Sequence, residues 1–297
     1  MAKKRYYLLA NPEGGAKNVI GIINEIKPVF EAAGAELMIH ETSWSRHASE
    51  ITRDMDFDNY DGLCTVGGDG TVHETINGLL KRRDGKKIPL GLIPGGSGNS
   101  FLWGLGCHNP IDAAQRILKG ETGLIDVAEM TMGDEILYSF NIIGWGLVTA
   151  INHTSEKFRW WPKQRYNLAT VIELIRLKAR ATKLIVDGKE IDGKVAFLIA
   201  CNTPYTGVGM KMAPKASLND GKIDLIVVND ATRMQMLKLF PKVFDGSHIE
   251  SDLVDYYQAE TFELIPEIND LLDVDGELTG TTPFKVKMIP QAVEIFM

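Results

Sequence analysis

Apolar residues along this chain follow two different rhythms, and the change falls near Gly123. Before it, short apolar runs alternate with stretches of helical periodicity. Arg5 to Ala10 reads as a strand, Val19 to Phe30 as a helix, Glu36 to Ile39 as a second strand and His47 to Met55 as a second helix. Asp61 to Val66 is apolar enough for a buried strand and too short for a helix. It runs into Gly67, Gly68, Asp69 and Gly70, after which Val72, Ile76, Leu79 and Leu80 recur at helical spacing. Thr71 is the expected cap of that helix. Pro89 to Ile93 is a fourth strand, a short helix starts at Ser100, and Pro110 to Lys119 is a helix opened by proline. Strands alternating with helices predict a parallel sheet covered on both faces, with ligands beyond the carboxyl ends of its strands.

After Gly123 the runs become strand-like: Leu124 to Met132, Leu137 to Ile143, Lys183 to Val186, Lys194 to Cys201, Ile223 to Val228, Tyr256 to Ile265 and Leu271 to Val274. Helices are expected from Asn167 to Lys178 and from Met234 to Val243. Phe284 to Met288 and Ala292 to Phe296 are two further strands whose sheet the pattern does not assign. The expected fold class is therefore α/β plus β. Residues 1–123 form an α/β domain and 124–283 an antiparallel β domain with helical insertions. Residues 284–297 are able to complete the first domain, and the site is expected in the cleft between the two.

Composition narrows the function classes. The chain has 297 residues, is 44% hydrophobic and 24% charged, and so is an ordinary globular protein. A net charge of −7 argues against nucleic acid as a partner. The three cysteines, Cys64, Cys107 and Cys201, are far apart, which suits packed thiols in a reducing compartment and not a disulfide framework or zinc site. No run approaches the roughly 20 apolar residues of a spanning helix, and the N-terminal apolar stretch is too short for a secretory signal. The expected location is cytoplasmic, with any membrane contact made from the surface.

The glycine turns carry the candidate chemistry. GGDGT puts bare backbone and a helix N-terminus beside the Asp69 carboxylate. The first two features suit phosphate, while a carboxylate repels it unless a metal or a proton-transfer role accounts for it. The turn lacks a third glycine at dinucleotide spacing and the GK[ST] of a P-loop. PGGSGN (Pro94 to Asn99) is a second turn of the same kind, and NPEGG (Asn11 to Gly15) a third.

Taken together, NPEGG, GGDGTVHETINGL, IPGGSGN and DVDGE resemble the diacylglycerol-kinase catalytic-domain family of lipid kinases. Within it, SFNIIGWG (Ser139 to Gly146) and SEKFRWWPKQRYNLAT (Ser155 to Thr170) are most similar to the sphingosine kinases. The resemblance implies an NAD-kinase- or phosphofructokinase-like N-terminal domain, a C-terminal β-sandwich, and ATP and Mg2+ as cofactors. It implies an ATP site lined by Asn11, Pro12, Glu13, Thr42, Arg46, Gly67, Gly68, Gly70, Thr71, Glu74, Gly96, Ser97 and Gly98. Arg159 and Arg165 would hold phosphates, with Asp275 and Gly276 closing the site from the second domain. Asp69 would take the proton from the lipid hydroxyl; Glu277, in the position assigned this role in bacterial relatives, is the alternative base. One of Asp69, Asp275 and Glu277 would serve Mg2+. SLNDGKID resembles the bacterial family's structural magnesium segment, giving Ser217, Asp220 and Lys222; an ordinary turn is the competing reading.

One departure concerns the lipid. Sphingosine kinases carry an Asp three residues before SEK, where this chain has Asn152. An amide offers no full charge to an ammonium, which tilts the expected substrate from free sphingosine towards ceramide-like or diacylglycerol-like lipids. Phe158, Trp160, Trp161 and Pro162 beside basic residues suit either a membrane interface or a domain core. A kinase of a soluble substrate, as among NAD kinases, and a catalytically silent nucleotide- or lipid-binding protein are the competing functions. Oligomerisation stays open.

Overall fold

A parallel sheet covered on both faces needs strands that are apolar on both sides, and the first four strands are. Leu8, Leu9, Leu63, Val66 and Leu90 are all fully buried. The computed structural model describes residues 3–12, 18–96, 98–158, 161, 165–207 and 209–297, with the backbone alone at 165–167. These divide into two compact units, 1–127 with 290–297, and 128–289.

In the first unit β1 (Arg5–Ala10), α1 (Val19–Ala32), β2 (Glu36–Glu41), α2 (His47–Asp54), β3 (Gly62–Gly67), α3 (Asp69–Leu80) and β4 (Leu90–Pro94) alternate. The helices α4 (Ser100–Gly104) and α5 (Pro110–Lys119) follow. The sheet order is β4-β3-β1-β2, all parallel. α5 begins at its proline, with the Asn109 side chain accepting from Asp112 N. α3 departs from expectation. Its N-cap is Gly68, in extended backbone with no side-chain cap, so the helix starts at Asp69 and Thr71 lies inside its first turn. An acidic residue at that position complements the helix dipole.

The second unit contains β6 (Glu135–Ser139), β7 (Ile142–Gly146), α6 (Leu147–Glu156), α7 (Arg165–Ile175), β8 (Arg180–Val186), β9 (Lys189–Cys201) and β10 (Ile223–Asn229). It continues with α8 (Arg233–Leu239), a 3-10 turn (Phe240–Val243), β11 (Val254–Ala259), β12 (Thr261–Pro266), β13 (Leu271–Val274) and β14 (Glu277–Thr281). Two strands run through both units, β5 (Thr122–Met132) and β15 (Phe284–Phe296). β14-β13-β7-β9-β8-β12 is antiparallel throughout, the start of β15 adds to β12, and β10 pairs with both β9 and β11. Trp145, Phe262, Phe284 and Val286 belong to one apolar cluster of this unit, while Leu147, Leu174, Met236 and Leu239 belong to a second one.

The α/β plus β class is as expected; several elements differ. The run read as one strand from Leu137 to Ile143 breaks into β6 and β7, because the N–H groups of Phe140, Asn141 and Ile142 all point at Asp275. Tyr256 to Ile265 likewise breaks at Glu260, whose N–H donates to Asp187 Oδ1. α6 went unread, its β-branched residues masking the helical spacing. The two C-terminal strands are one, β15, with Gln291 in the left-handed region. Its start pairs antiparallel with β12 and its end lies parallel to β4 through Ile295 and Leu90. Among the described residues no helix is long and apolar enough to cross a membrane.

Candidate active site

In the order β4-β3-β1-β2, the connection after β1 leads to one side of the sheet and the connection after β3 to the other. The carboxyl ends of β1 and β3 therefore flank the switch point, where open α/β sheets bind ligands. Asn11 follows β1 and the GGDG turn closes β3. Asn11 N donates to Val66 O, and Asn11 Nδ2 reaches Thr71 Oγ1 at 3.3 Å.

The two glycine turns interlock here. A Cβ on Gly96 would stand 2.4 Å from Gly68 Cα, and one on Gly67 would stand 2.4 Å from Thr71 Oγ1. Glycine at 96 lets the two turns touch each other, and glycine at 67 leaves room for the Thr71 side chain within its own turn, before any ligand arrives. Asn99, in left-handed backbone, closes the second turn by accepting from Gly96 N and donating to Gly96 O, both at 2.9 Å. That closure aims the start of α4 at Asp69. Ser100 N donates to Asp69 Oδ2 at 3.1 Å and Phe101 N to Asp69 Oδ1 at 3.5 Å. Gly98 lies beside the same carboxylate, its Cβ position 3.5 Å from Asp69 Oδ2. Asp69 is half-buried and lies at the start of one helix while accepting from the start of another.

The neighbouring loop is held by Glu74. Its oxygens accept from Arg46 N at 2.7 Å and Ala48 N at 3.3 Å, capping α2 after the left-handed Arg46. Thr42 N and Oγ1 both donate to Ala10 O, which ties the end of β2 to β1. Asn11, Thr42, Arg46, the GGDG turn, Thr71, Glu74, Gly96 and Gly98 thus gather along one edge of the sheet, with Pro12 following Asn11. Glu13, Ser97 and Arg159 lie outside the described residues, as do Trp160 and Pro162. Arg165 opens α7 by its backbone, and Trp161 is exposed.

The second unit builds a separate constellation around the DVDGE turn. Asp275 is buried in left-handed backbone, and its carboxylate accepts from four donors: Ser139 Oγ, Phe140 N, Asn141 N and Ile142 N. Its oxygens organise the SFNI loop. Two residues earlier, Asp273 accepts from Asn152 Nδ2 and from Gly276 N, each at 2.9 Å. Asn152 Nδ2 also donates to Gly276 O at 2.9 Å, so both amide hydrogens of Asn152 have acceptors. Burial pushes the Asp273 carboxyl up to about 7, against the lowering effect of those two donors. Glu277 starts β14 and is exposed.

Asp273 and Asn99 are the residues that reading the sequence missed. Asp273 lies within a strand-like run, and only its place two residues before DGE marks it. At SLNDGKID, Asp220 Oδ1 accepts from Lys222 N and Ser217 Oγ donates to Asn219, the pattern of an Asx turn. Among the described residues no group of three or more acidic, His or Cys side chains could hold a metal ion. All three cysteines are free and buried, and burial raises their thiols.

A parallel sheet with glycine turns at its switch point presents backbone and helix starts that suit a phosphate-bearing ligand. Residues 5–130 match the diacylglycerol kinase catalytic domain, and 141–297 match the YegS C-terminal NAD kinase beta sandwich-like domain. Sphingosine kinase 1 of Arabidopsis thaliana is 31% identical over 332 residues, covering 93% of this chain and 68% of that protein. A diacylglycerol kinase of Mycobacterium tuberculosis is 31% identical over 241 residues, covering 79% of this chain and 76% of its own. The crystal structure of a diacylglycerol kinase from Bacillus anthracis superposes with a TM-score of 0.83 at 24% identity, over 100% of this chain and 98% of that one. The chain belongs to the diacylglycerol kinase catalytic domain family.

Proposed function

We propose that the protein transfers the γ-phosphoryl group of ATP to a primary hydroxyl of a long-chain lipid. The observation that carries this reading is the Asp69 carboxylate, fixed by Ser100 N and Phe101 N between two interlocked glycine turns at the switch point of the sheet. Phosphoryl transfer is largely positioning and charge neutralisation, with one acceptor for the proton of the attacking hydroxyl. Asp69 is that acceptor: its orientation is set by backbone N–H groups and it is not buried. Asn11, Thr71, Gly68, Gly96 and Gly98 form the cradle for the triphosphate, and Glu74 holds the loop carrying Arg46 in place. Mg2+ would neutralise the phosphate oxygens. Asp69 and the exposed Glu277 have the accessibility to hold it, whereas Asp275 already accepts from four donors. Glu277 remains the alternative base.

The relatives are named for sphingosine and for diacylglycerol, and Asn152 is the residue proposed to face the lipid. Because its two amide hydrogens go to Asp273 and Gly276, a lipid would meet it through Oδ1, which accepts from a hydroxyl or an amine. The test is a panel of sphingosine, ceramide, diacylglycerol and NAD+ incubated with labelled ATP and Mg2+. Label in at least one lipid and none in NAD+ is the expected result. Label in NAD+ alone would replace this reading with a kinase of a soluble substrate, the second reading raised by the fold likeness to an NAD kinase of Archaeoglobus fulgidus at a TM-score of 0.52.

A further inference from the structure

The segment 231–244, ATRMQMLKLFPKVF, sorts its apolar residues onto two faces. Met236, Leu239 and Val243 are buried in the cluster that contains Leu147 and Leu174. Met234, Leu237 and Phe244 are 65%, 48% and 51% exposed. Arg233, Lys238 and Lys242 are exposed on the same short segment. Among the described residues none of the three pairs with a carboxylate. Between the exposed Asp230 and Asp245, the latter held by Ser247, the segment contains no Asp or Glu and carries three positive charges in a chain of net charge −7. A capping box at Thr232, with Gln235 answering its backbone, fixes the helix start and hence the face.

Single exposed apolar residues need no explanation, but three of them interleaved with three unpaired cations do. A protein interface of this kind is disfavoured, because lysine is depleted from interface cores. The headgroup layer of a membrane accepts both classes of side chain at once. We propose that this face docks on an anionic phospholipid surface, with Met234, Leu237 and Phe244 entering the acyl boundary and Arg233, Lys238 and Lys242 meeting lipid phosphates. This rests on the reading of the protein as a lipid kinase, and it gives that enzyme its means of reaching a substrate that does not leave the bilayer.

Flotation with phosphatidylcholine vesicles, with and without phosphatidylglycerol, tests the proposal. The full chain should bind the anionic vesicles and bind less as salt is raised. The triple variant Arg233→Gln, Lys238→Gln, Lys242→Gln should lose on the order of a hundredfold in that binding. Met234→Ser, Leu237→Ser, Phe244→Ser should lose about tenfold or more. Both variants should melt like the parent and turn over, at the parental rate, a short-chain, water-soluble analogue of whichever lipid the labelled-ATP panel identifies. Unchanged vesicle binding in both variants overturns the proposal. So does self-association lost in the serine variant with vesicle binding intact, which would make the face a subunit interface. If both variants lose binding while the parent phosphorylates no lipid, the docking face stands and the lipid-kinase reading falls.

Discussion

Asp69 and Asp275 each precede a glycine, in GGDG where β3 gives way to α3 and in VDGE between β13 and β14, yet their surroundings have little in common. Asp69 is half-buried and accepts two backbone N–H groups from the start of α4. Asp275 is buried and accepts from four donors across SFNI. A carboxylate with spare accessibility can act on a substrate; one enclosed by donors organises the chain around it. Two Asp-Gly pairs that look equivalent in the sequence are thus separated by their burial and by the origin of their donors.

The comparison predicts opposite outcomes for the two residues. Asp69→Asn should lower kcat on the order of a thousandfold, as loss of a general base does. ATP binding should persist, and stability should move by less than about 1 kcal/mol. A kcat only a few-fold lower, measured with labelled ATP, would transfer the base role to Glu277. Asp275→Ala should instead act on the fold, because it strands four donors in a buried place. A loss of about 3 kcal/mol or more is expected in urea unfolding. A variant as stable as the parent would break the distinction drawn here.

Asp273 sharpens it at a smaller scale. Burial raises its folded carboxyl to about 7, whereas the unfolded chain has the ordinary value. Below the ordinary value both states are protonated, and the stability linked to this group is fully present. As pH rises from there to about 7 the unfolded chain releases the proton first, so that stability falls by up to about 1.4 kcal/mol per pH unit and then levels. Asp273→Asn cannot ionise and should flatten the decline. Denaturation midpoints across that window check this, and parallel curves for the two proteins would remove Asp273 as the cause.

Much of the first unit is legible from local pattern. β1 to β4 and α5 are short apolar runs and a proline-started helix, and the glycine turns between strand and helix mark the binding edge. What misled was the N-terminus of α3. Thr71 is a good capping residue, but Gly68 takes the cap position in extended backbone and the Thr71 hydroxyl oxygen accepts from Asn11 Nδ2. In the second unit, β6 and β7 look like one run because the residue that parts them, Asp275, is more than a hundred positions away. Asn152 shows the same limit. Its type was readable as neutral, but the Asp273 carboxylate at 2.9 Å was not.

The sequence by itself determined the alternation of elements, the fold class and the family, because periodicity and glycine spacing are local properties of a chain. Tertiary structure alone decided that the glycines of the two turns are needed for each other, that Asp69 takes its hydrogen bonds from α4, and that Asp275 is enclosed while Glu277 is not. It also joined the last strand to both units through a single left-handed residue, Gln291. These outcomes depend on which donors reach a carboxylate and which backbones touch. Such contacts are made between residues far apart in the chain, where periodicity carries no information.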